Sequence, residues 1–293
     1  MKFFIIDAFS EVPFGGNTAG VVFVPKDAEY PTDEVMQKVA AGFHFSETAF
    51  IQQVSDQKFH TRFFTPTKEV NLCGHATIAA FKALYQSGIV SEQPIYTNIT
   101  KAGELKIQIL DGVVYMDMAA PQLVSTIEDA NELEQLYRVM GLSYGDMVDH
   151  GVKLPVQIVS TGLPDIMLPI SSIDALFSIN PDYEALTELS KKYNVIGVHA
   201  FVFKGETVKA HVRNFAPLYG INEESATGTS NGALTYYGFI NNIIHNCEHC
   251  TFSQGEIMKR PSIIYTFLNY RDKDFRIQVG GKATIVANGN IDI

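Results

Sequence analysis

The sequence predicts an α+β protein made of two similar halves, in each of which strands surround one central helix. Two observations predict this architecture: a set of motifs recurs along the chain at a constant offset, and two helical segments are almost free of charge. The composition is compatible, because 293 residues with 46% hydrophobic and 18% charged content can bury one large core or two modest ones.

The recurring motifs pair the first half of the chain with the second. "SETAFIQQ" at 46–53 matches "GVHAFVFK" at 197–204, and "TRFFTP" at 61–66 matches "VRNFAP" at 212–217. Because several matches fall in one register, an internal duplication is favoured over chance.

The duplication predicts two domains that meet near Pro121. The first covers residues 1–120 and the second residues 121–279. The C-terminal residues 280–293 are a candidate to return to the first domain.

Local patterns place one amphipathic helix and one hairpin. Residues 32–43 carry an N-cap candidate, Thr32 or Asp33, ahead of apolar residues that share one helical face. Residues 101–118 alternate in strand fashion on both sides of an Asp-Gly pair, which predicts a β-hairpin.

Two further segments, 74–86 and 228–240, predict the central helices. The first is apolar on almost every side and the second is similarly poor in charge, and a helix apolar all round is one that other elements surround. Each begins at a glycine, Gly74 or Gly228, which lets an anion approach the free N–H groups of a helix start. We therefore expect a small anionic ligand, most simply a carboxylate, in a cleft that both helix starts face.

Charge and cysteine content narrow the classes of function. A net charge of −10 and a pI near 5.2 argue against nucleic acid or an anionic membrane as the main partner. The N-terminal apolar run is interrupted by Asp7 without a signal-peptide cleavage pattern, and no segment approaches the ~20 apolar residues of a membrane span. Three cysteines are too few for a disulfide framework, so a cytoplasmic protein is expected.

Cys73 and His75, at the start of the first central helix, allow three interpretations. A metal site is disfavoured, because i,i+2 side chains do not share a helix face and no second ligand pair lies nearby at zinc-like spacing. A catalytic thiol suits a helix start, but a two-base racemase needs a second thiol, and the duplication places Thr227 opposite Cys73. A buried structural cysteine is the preferred interpretation.

Five motifs, in their order along the chain, resemble one known family. They are "DAFSEVPFGGNTAGVVF", "FSETAF", "FFTPTKEVNLCGHAT", "FAPLYGINEESATGTS" and "SQGEIMKRPS". The chain resembles the phenazine biosynthesis F-like isomerase family, within the diaminopimelate-epimerase-like fold, over nearly its whole length. The resemblance implies two pseudo-symmetric domains, each a β-barrel-like sheet wrapped around a central helix, with the active site in the cleft between them, and a homodimer.

The resemblance also implies the site residues. The acid/base glutamate of the family falls on Glu47, and its Gly-His motif falls on Gly74 and His75. Both helix-start residues are implied to bind the substrate. Glu47 is the implied catalytic residue.

A second motif implies further substrate contacts at Glu224, Gly228 and Thr229. The family usually has aspartate and serine where this chain has Glu224 and Thr229. Both departures keep the functional group but change the shape of the pocket. The two departures therefore bear on which substrate the pocket accepts more than on the type of reaction.

The residues around Glu47 support a proton-transfer role independently of the resemblance. Neighbouring aromatic residues such as Phe45 and Phe50 are expected to desolvate the carboxyl group and raise its pKa toward the range of a general acid or base. The repeat partner of Glu47 is Val198, so a single carboxylate favours isomerisation on one face over two-base inversion. His75 is expected to assist Glu47 or to bind substrate, as a neutral ring at the helix start.

Two other polar patterns are expected to be structural. The cluster "HNCEHC" at 245–250 has no matching ligand cluster elsewhere, so no metal site is expected. Arg62 and Arg213, at equivalent positions of the duplication, are expected to pair with internal acids. The chain has neither a Rossmann glycine motif nor a phosphate-binding lysine loop, so no organic cofactor is expected.

The sequence therefore predicts a cofactor-independent isomerase that moves a proton between carbons of a small cyclic or amino carboxylate. It resembles trans-2,3-dihydro-3-hydroxyanthranilate isomerase in this respect. The alternatives are an amino-acid epimerase or racemase, and a small-molecule-binding protein without catalytic activity.

Overall fold

The computed structural model describes residues 1–149, 153–205 and 207–293. The strands β1 to β18 in these ranges are, in order, Lys2–Ala8, Asn17–Val24, Glu47–Ser55, Lys58–Phe64, Glu69–Val70, Ile95–Thr100, Gly103–Leu110, Val113–Asp117, Gln122–Ile127, Val156–Ser160, Pro164–Pro169, Val198–Val202, Ala210–Ala216, Ile221–Glu224, His249–Gln254, Ser262–Arg271, Asp274–Gly281 and Ala283–Asn290.

The helices α1 to α7 in the same ranges are Asp33–Phe43, Gly74–Gln86, Ala130–Val139, Tyr144–Asp149, Ile173–Ser178, Tyr183–Tyr193 and Gly228–Ile240. A short 3-10 turn covers Pro217–Tyr219. Among the described helices, none combines the length and the hydropathy that a membrane crossing requires.

The local sequence predictions are confirmed. The first helix, α1, begins after Thr32, whose side chain accepts a hydrogen bond from the Val35 N–H. Strands β7 and β8 form the predicted hairpin, and its turn residues Asp111 and Gly112 have φ of 50° and 74°, as a type I′ turn requires. The two central helices, α2 and α7, have the predicted bounds.

Contacts divide the described chain into two compact units. Unit 1 comprises Met1–Asp117 and Gly280–Ile293, and unit 2 comprises Met118–Val279. The sequence places the boundary near Pro121, three residues beyond the start of unit 2 at Met118.

Unit 1 surrounds helix α2 with strands. Strand β1 pairs antiparallel with β2 and β18, β2 runs parallel to β3, β3 pairs antiparallel with β4, and β4 runs parallel to β6. Helix α2 packs against β1, β2, β3, β8 and β18, and 9 of its 13 residues are buried. Glycine is required at Gly20, where a Cβ would lie 2.5 Å from the ring of Phe43 on α1. The predicted central helix of the first half is therefore confirmed.

Unit 2 repeats this order of elements around α7. Strand β10 pairs antiparallel with β9 and β11, β11 runs parallel to β12, β12 pairs antiparallel with β13, and β13 runs parallel to β15. Helix α7 packs against β10, β11 and β16, with 9 of its 13 residues buried. Helices α3 and α6 add a separate apolar core that includes Leu136, Tyr137 and Leu186. Such a shared order is what an internal duplication predicts.

Candidate active site

Unit 1 brings together Glu47, Cys73 and His75. Glu47 begins β3, and the parallel pairing of β2 with β3 sets it opposite Ala19. Cys73 is the N-cap of α2 and His75 lies in the first turn of that helix, which packs on both strands. Cys73 and His75 are buried, and the Glu47 side chain is 15% exposed. A carboxyl, a thiol and an imidazole thus share one nearly buried position.

Short contacts hold the imidazole of His75 on both sides. Its Nε2 lies 3.2 Å from Oε2 of Glu47 and 3.3 Å from the hydroxyl of Ser46. Its Nδ1 lies 3.2 Å from the side-chain amide of Asn17 and 3.4 Å from Sγ of Cys73. Because both ring nitrogens have neighbours, the ring is fixed in orientation beside the carboxylate.

Burial and charge act in opposite directions on the three ionisable groups. Burial raises the pKa of Glu47, but its contacts with His75, Ser46 and Cys73 lower it further, so this pKa lies below the ordinary glutamate value. Burial lowers the pKa of His75, but the neighbouring Cys73 and Glu47 outweigh burial and hold that pKa well above its usual range. Burial raises the pKa of the Cys73 thiol to about 11. At neutral pH the group therefore contains a carboxylate, an imidazolium and a neutral thiol.

Two expectations from the sequence are wrong at this point. The pKa of Glu47 is lowered rather than raised, and His75 is charged rather than neutral. Aromatic neighbours alone would desolvate the carboxyl group, but the buried imidazole supplies an opposite charge that outweighs desolvation. The raised pKa of the Cys73 thiol agrees with its interpretation as a structural cysteine, because the nucleophilic form is the thiolate.

Unit 2 holds the remaining predicted residues around the start of α7. Glu224 ends β14, Thr227 is the N-cap of α7, Gly228 is the first helical residue and Thr229 follows it, half-buried. The Thr227 hydroxyl donates to Oε2 of Glu224 at 2.6 Å. The buried side chain of Gln254 accepts from the Thr227 N–H at 3.0 Å and donates to the Glu224 carbonyl at 2.7 Å. Gln254 therefore fixes the chain that leads into the helix.

The two central helices start in the same way. In the described contacts, neither the Cys73 thiol nor the Thr227 hydroxyl accepts a capping hydrogen bond from a backbone N–H of its helix. The positive end of the helix dipole at such a start is suited to an anion. The substrate-binding roles of Gly74, His75, Glu224, Gly228 and Thr229 stay predictions, as does a cleft shared by both starts.

Three polar side chains that contact the site residues had no role assigned from the sequence. Asn17 and Ser46 contact the ring nitrogens of His75, and Gln254 holds Thr227 and Glu224. Asn17 lies in the "GGNTAG" motif, Ser46 directly precedes Glu47, and Gln254 lies in "SQGE". Their positions in or beside these motifs could have marked the three residues as candidates. A motif does not show, however, which side chain each residue contacts.

The cluster at 245–250 does not form a metal site among the residues that the structure describes. Cys247 is exposed and Cys250 is buried, while the ring of His249 stacks on Phe267 with a centroid distance of 4.4 Å. In the described ranges, metal-ligating atoms gather elsewhere, at Glu47, Cys73 and His75.

The structural interpretation of both arginines is confirmed by their ion pairs. Nε of Arg62 lies 2.8 Å from the Glu69 carboxylate, and its Nη1 lies 2.9 Å from Asp33. Arg213 donates from Nε and Nη2 to the two carboxylate oxygens of Glu223, each at 2.8 Å. Arg213 thus forms a bidentate pair with one carboxylate and Arg62 pairs with two separate carboxylates, so each guanidinium is neutralised inside its own unit.

Comparisons with known proteins identify the family. The sequence model of the family described as phenazine biosynthesis-like protein matches residues 6–289. An uncharacterized isomerase of Clostridium acetobutylicum is 33% identical over 298 residues, covering 96% of this chain and 94% of the relative. A crystal structure of the Bacillus anthracis phenazine biosynthesis protein of the PhzF family is 28% identical with a TM-score of 0.86, covering 100% of this chain and 99% of that chain.

A more distant structure supports the fold. A probable proline racemase from Agrobacterium radiobacter matches with a TM-score of 0.65, covering 100% of this chain and 93% of that chain, and at 12% identity this likeness shows the fold alone. The α+β fold of the diaminopimelate-epimerase-like type, predicted from the sequence, is confirmed. The chain thus belongs to the phenazine biosynthesis-like protein family, in which relatives such as the Clostridium acetobutylicum protein are named isomerases.

Proposed function

We propose that the protein is an isomerase that moves a proton between two carbons of a small carboxylate substrate, with Glu47 as the proton carrier. The observation that carries this proposal is the buried carboxylate of Glu47, whose Oε2 lies 3.2 Å from Nε2 of His75 at the start of α2. The proposed chemistry is general acid/base catalysis by these side chains, without a cofactor.

The charge state of the pair gives Glu47 a role in each of the two half-reactions. Ionised Glu47 takes a proton as the substrate C–H bond breaks, and the electron pair left on carbon delocalises into the conjugated system of the substrate. Protonated Glu47 then returns the proton to a second carbon. Because His75 lowers the pKa of Glu47, the protonated carboxyl group is a good acid in this second step.

A carboxylate in the substrate is supported by the helix starts. The starts of α2 at Gly74 and of α7 at Gly228 each offer backbone N–H groups and the positive end of a helix dipole. We assign Gly74, His75, Glu224, Gly228 and Thr229 to substrate binding. The substrate class is a small cyclic or amino carboxylate, and dihydro-hydroxyanthranilate is its first candidate.

Two alternatives differ in class from this proposal. An amino-acid racemase with two thiol bases is disfavoured, because Cys73 is the N-cap of α2 whereas Thr227 is the N-cap of α7. A binding protein without turnover would use the same helix starts but would not need an ionised Glu47. The behaviour of a Glu47 variant separates the latter from an enzyme.

The test compares turnover and binding in Glu47→Gln. Product formation is followed by proton NMR over a panel of cyclic and amino carboxylates, and binding is measured by calorimetry. We expect turnover to fall at least 100-fold, the lower range for loss of a general acid/base, while binding persists. The matched control is Glu34→Gln, the same substitution at a fully exposed carboxylate on α1. Equal turnover in the wild type and Glu47→Gln would contradict the proposal.

A further inference from the structure

We propose that Glu47, Cys73 and His75 also form a binding site for one soft divalent cation of the Zn²⁺ or Cd²⁺ class, which blocks the carboxylate when bound. The ion is an inhibitor rather than a resident cofactor. Its binding stands on the arrangement of the ligands alone, whereas its inhibitory effect rests on the proposed function of Glu47.

The three side chains offer the ligand types that zinc prefers. A cysteine sulfur, a histidine nitrogen and a carboxylate oxygen bind Zn²⁺ at about 2.0–2.3 Å. One such atom from each of Glu47, Cys73 and His75 lies within 4.8 Å of the others. The i,i+2 spacing of Cys73 and His75 disfavoured a metal from the sequence, but the third ligand comes from strand β3.

Two of the three spacings already suit a tetrahedral ion. Metal–ligand bonds of about 2.0–2.3 Å place neighbouring ligand atoms about 3.3–3.8 Å apart. Nε2 of His75 lies 3.2 Å from Oε2 of Glu47 and 3.8 Å from Sγ of Cys73. The third spacing, between the sulfur and the carboxylate, lies within 4.8 Å and closes through side-chain rotation.

The Glu47 carboxylate also has an unsatisfied oxygen. Oε2 is buried and makes no hydrogen bond of good geometry to any residue that the structure describes, although it faces Nε2 of His75. A buried carboxylate oxygen without a well-aligned hydrogen bond costs free energy even beside an imidazolium, and a coordinated cation offsets that cost. When the ion binds, the Cys73 thiol and the His75 imidazolium each release one proton to solvent. The resulting thiolate and the Glu47 carboxylate together neutralise the charge of a divalent ion, which favours it in a buried position.

The neighbour of His75 can orient the ring for coordination. A metal-bound histidine usually donates its second ring N–H to a polar partner. The Asn17 amide lies 3.2 Å from Nδ1, and a turn of this amide places its oxygen as the acceptor while Nε2 holds the ion.

The test uses chelator-treated protein. Zn²⁺ binding is measured by calorimetry, and Cd²⁺ binding by the ultraviolet absorption of a thiolate-to-metal transition. We expect one ion per chain, loss of this absorption in Cys73→Ala, and binding in Glu47→Gln that is weaker by at least about 10-fold, because loss of a ligand costs no less than loss of an outer-shell partner. Cys247→Ser is the control, because it removes the exposed thiol of the competing cluster at 245–250 and should change neither result.

The outcomes separate this inference from the proposed function. Absence of binding to the wild type, or absorption that survives in Cys73→Ala and disappears in Cys247→Ser, overturns the metal site. Circular dichroism checks that each variant folds. If Cys73→Ala does not fold, a Zn²⁺ affinity of Glu47→Gln equal to that of the wild type overturns the metal site instead. Zn²⁺ binding that leaves turnover intact contradicts Glu47 as the base, whereas turnover without any metal binding contradicts the metal site alone.

Discussion

Glu47 and His75 stabilise each other's charge inside unit 1. Each group alone would be shifted toward its neutral form by burial, but Cys73 beside both groups and their own contact at 3.2 Å together reverse both shifts. The pair therefore stays charged at neutral pH, which leaves Glu47 ready to accept a proton.

This charge pairing predicts the pH profile of proton transfer. Glu47 must be ionised, and its lowered pKa places the acid limb of kcat/KM below 4.5, the ordinary glutamate value. His75 keeps its proton above its ordinary 6.5, so activity should not fall near that pH. In His75→Gln the opposing charge is gone, burial dominates and the acid limb should move upward. An acid limb near neutrality in the wild type would contradict the charge pairing.

The sequence singles out Glu47 as the candidate proton carrier, which stays a prediction, but it does not give the electrostatics around this carboxyl group. Glu47 was found through its motif and through the absence of a carboxylate at its repeat partner, Val198. The pKa direction was wrong, because it depends on which side chain faces the carboxyl group. His75 lies far from Glu47 in sequence and reaches it through the packing of α2 on β2 and β3.

At the scale of elements, one buried side chain fixes the start of α7. Gln254 on β15 accepts from Thr227 N–H and from the Asn231 side-chain amide, each at 3.0 Å, and donates to the Glu224 carbonyl. These hydrogen bonds connect strand β15 to the start of helix α7 and to Glu224 at the end of β14. Nothing in the local sequence of β15 indicates these long-range contacts.

We predict that Gln254→Ala lowers the free energy of unfolding by about 2–3 kcal/mol, because it leaves buried donors and acceptors without partners. Urea denaturation measures this change. The control is Gln93→Ala, at an exposed residue that belongs to neither central helix. A decrease in the free energy of unfolding below about 0.5 kcal/mol would contradict the stabilising role of the Gln254 hydrogen bonds.

Unit 2 also buries a hydrogen-bond network around one carboxyl group, that of Asp165, next to α7. The Ser230 hydroxyl on α7 donates to Asp165 on β11, and the Asn214 amide contacts both Ser230, at 3.1 Å, and Nδ1 of His199, at 3.2 Å. Burial raises the pKa of Asp165 from 3.8 to about 6. The folded protein therefore holds this proton more tightly than the unfolded chain, and stability from this group is lost as pH rises through about 4 to 6.

Asp165→Asn should remove this decrease in stability with rising pH, because the asparagine side chain stays neutral at every pH. At pH 8 we expect the variant to be more stable than the wild type by roughly 2–3 kcal/mol, and the difference should shrink toward pH 4. Thermal or urea unfolding at several pH values measures it. Asp292→Asn, at an exposed aspartate, should show no such trend. A wild type that is more stable than Asp165→Asn at pH 8 would contradict the buried-acid account.

At the scale of the whole molecule, the sequence predicted the surrounded helices better than the strand pairing. A helix with few charges has to be enclosed, and the recurring motifs predicted two such helices, which the structure has as α2 and α7. The parallel pairs β2–β3 and β4–β6 join distant segments, and helices α3 to α5 of unit 2 have no counterpart in unit 1. The parallel pairing leaves no local pattern in the chain, whereas helix α3 does carry a helical spacing of buried residues at Leu133, Leu136 and Tyr137.

The family resemblance implies a homodimer, which stays a prediction. Light scattering after size-exclusion chromatography should then give twice the chain mass of 32.4 kDa. A single species at 32.4 kDa across the accessible concentration range would contradict the dimer.

Deuterium incorporation tests the central claim, proton transfer by Glu47, most directly. The protein is incubated in D₂O with cyclic and amino carboxylates, including dihydro-hydroxyanthranilate, and each carbon position is followed by NMR. We predict that the wild type and Glu34→Gln incorporate deuterium at one carbon of at least one compound, and that Glu47→Gln binds this compound without incorporation. Incorporation at the wild-type rate by Glu47→Gln, or binding by the wild type with neither incorporation nor product formation, would contradict the account.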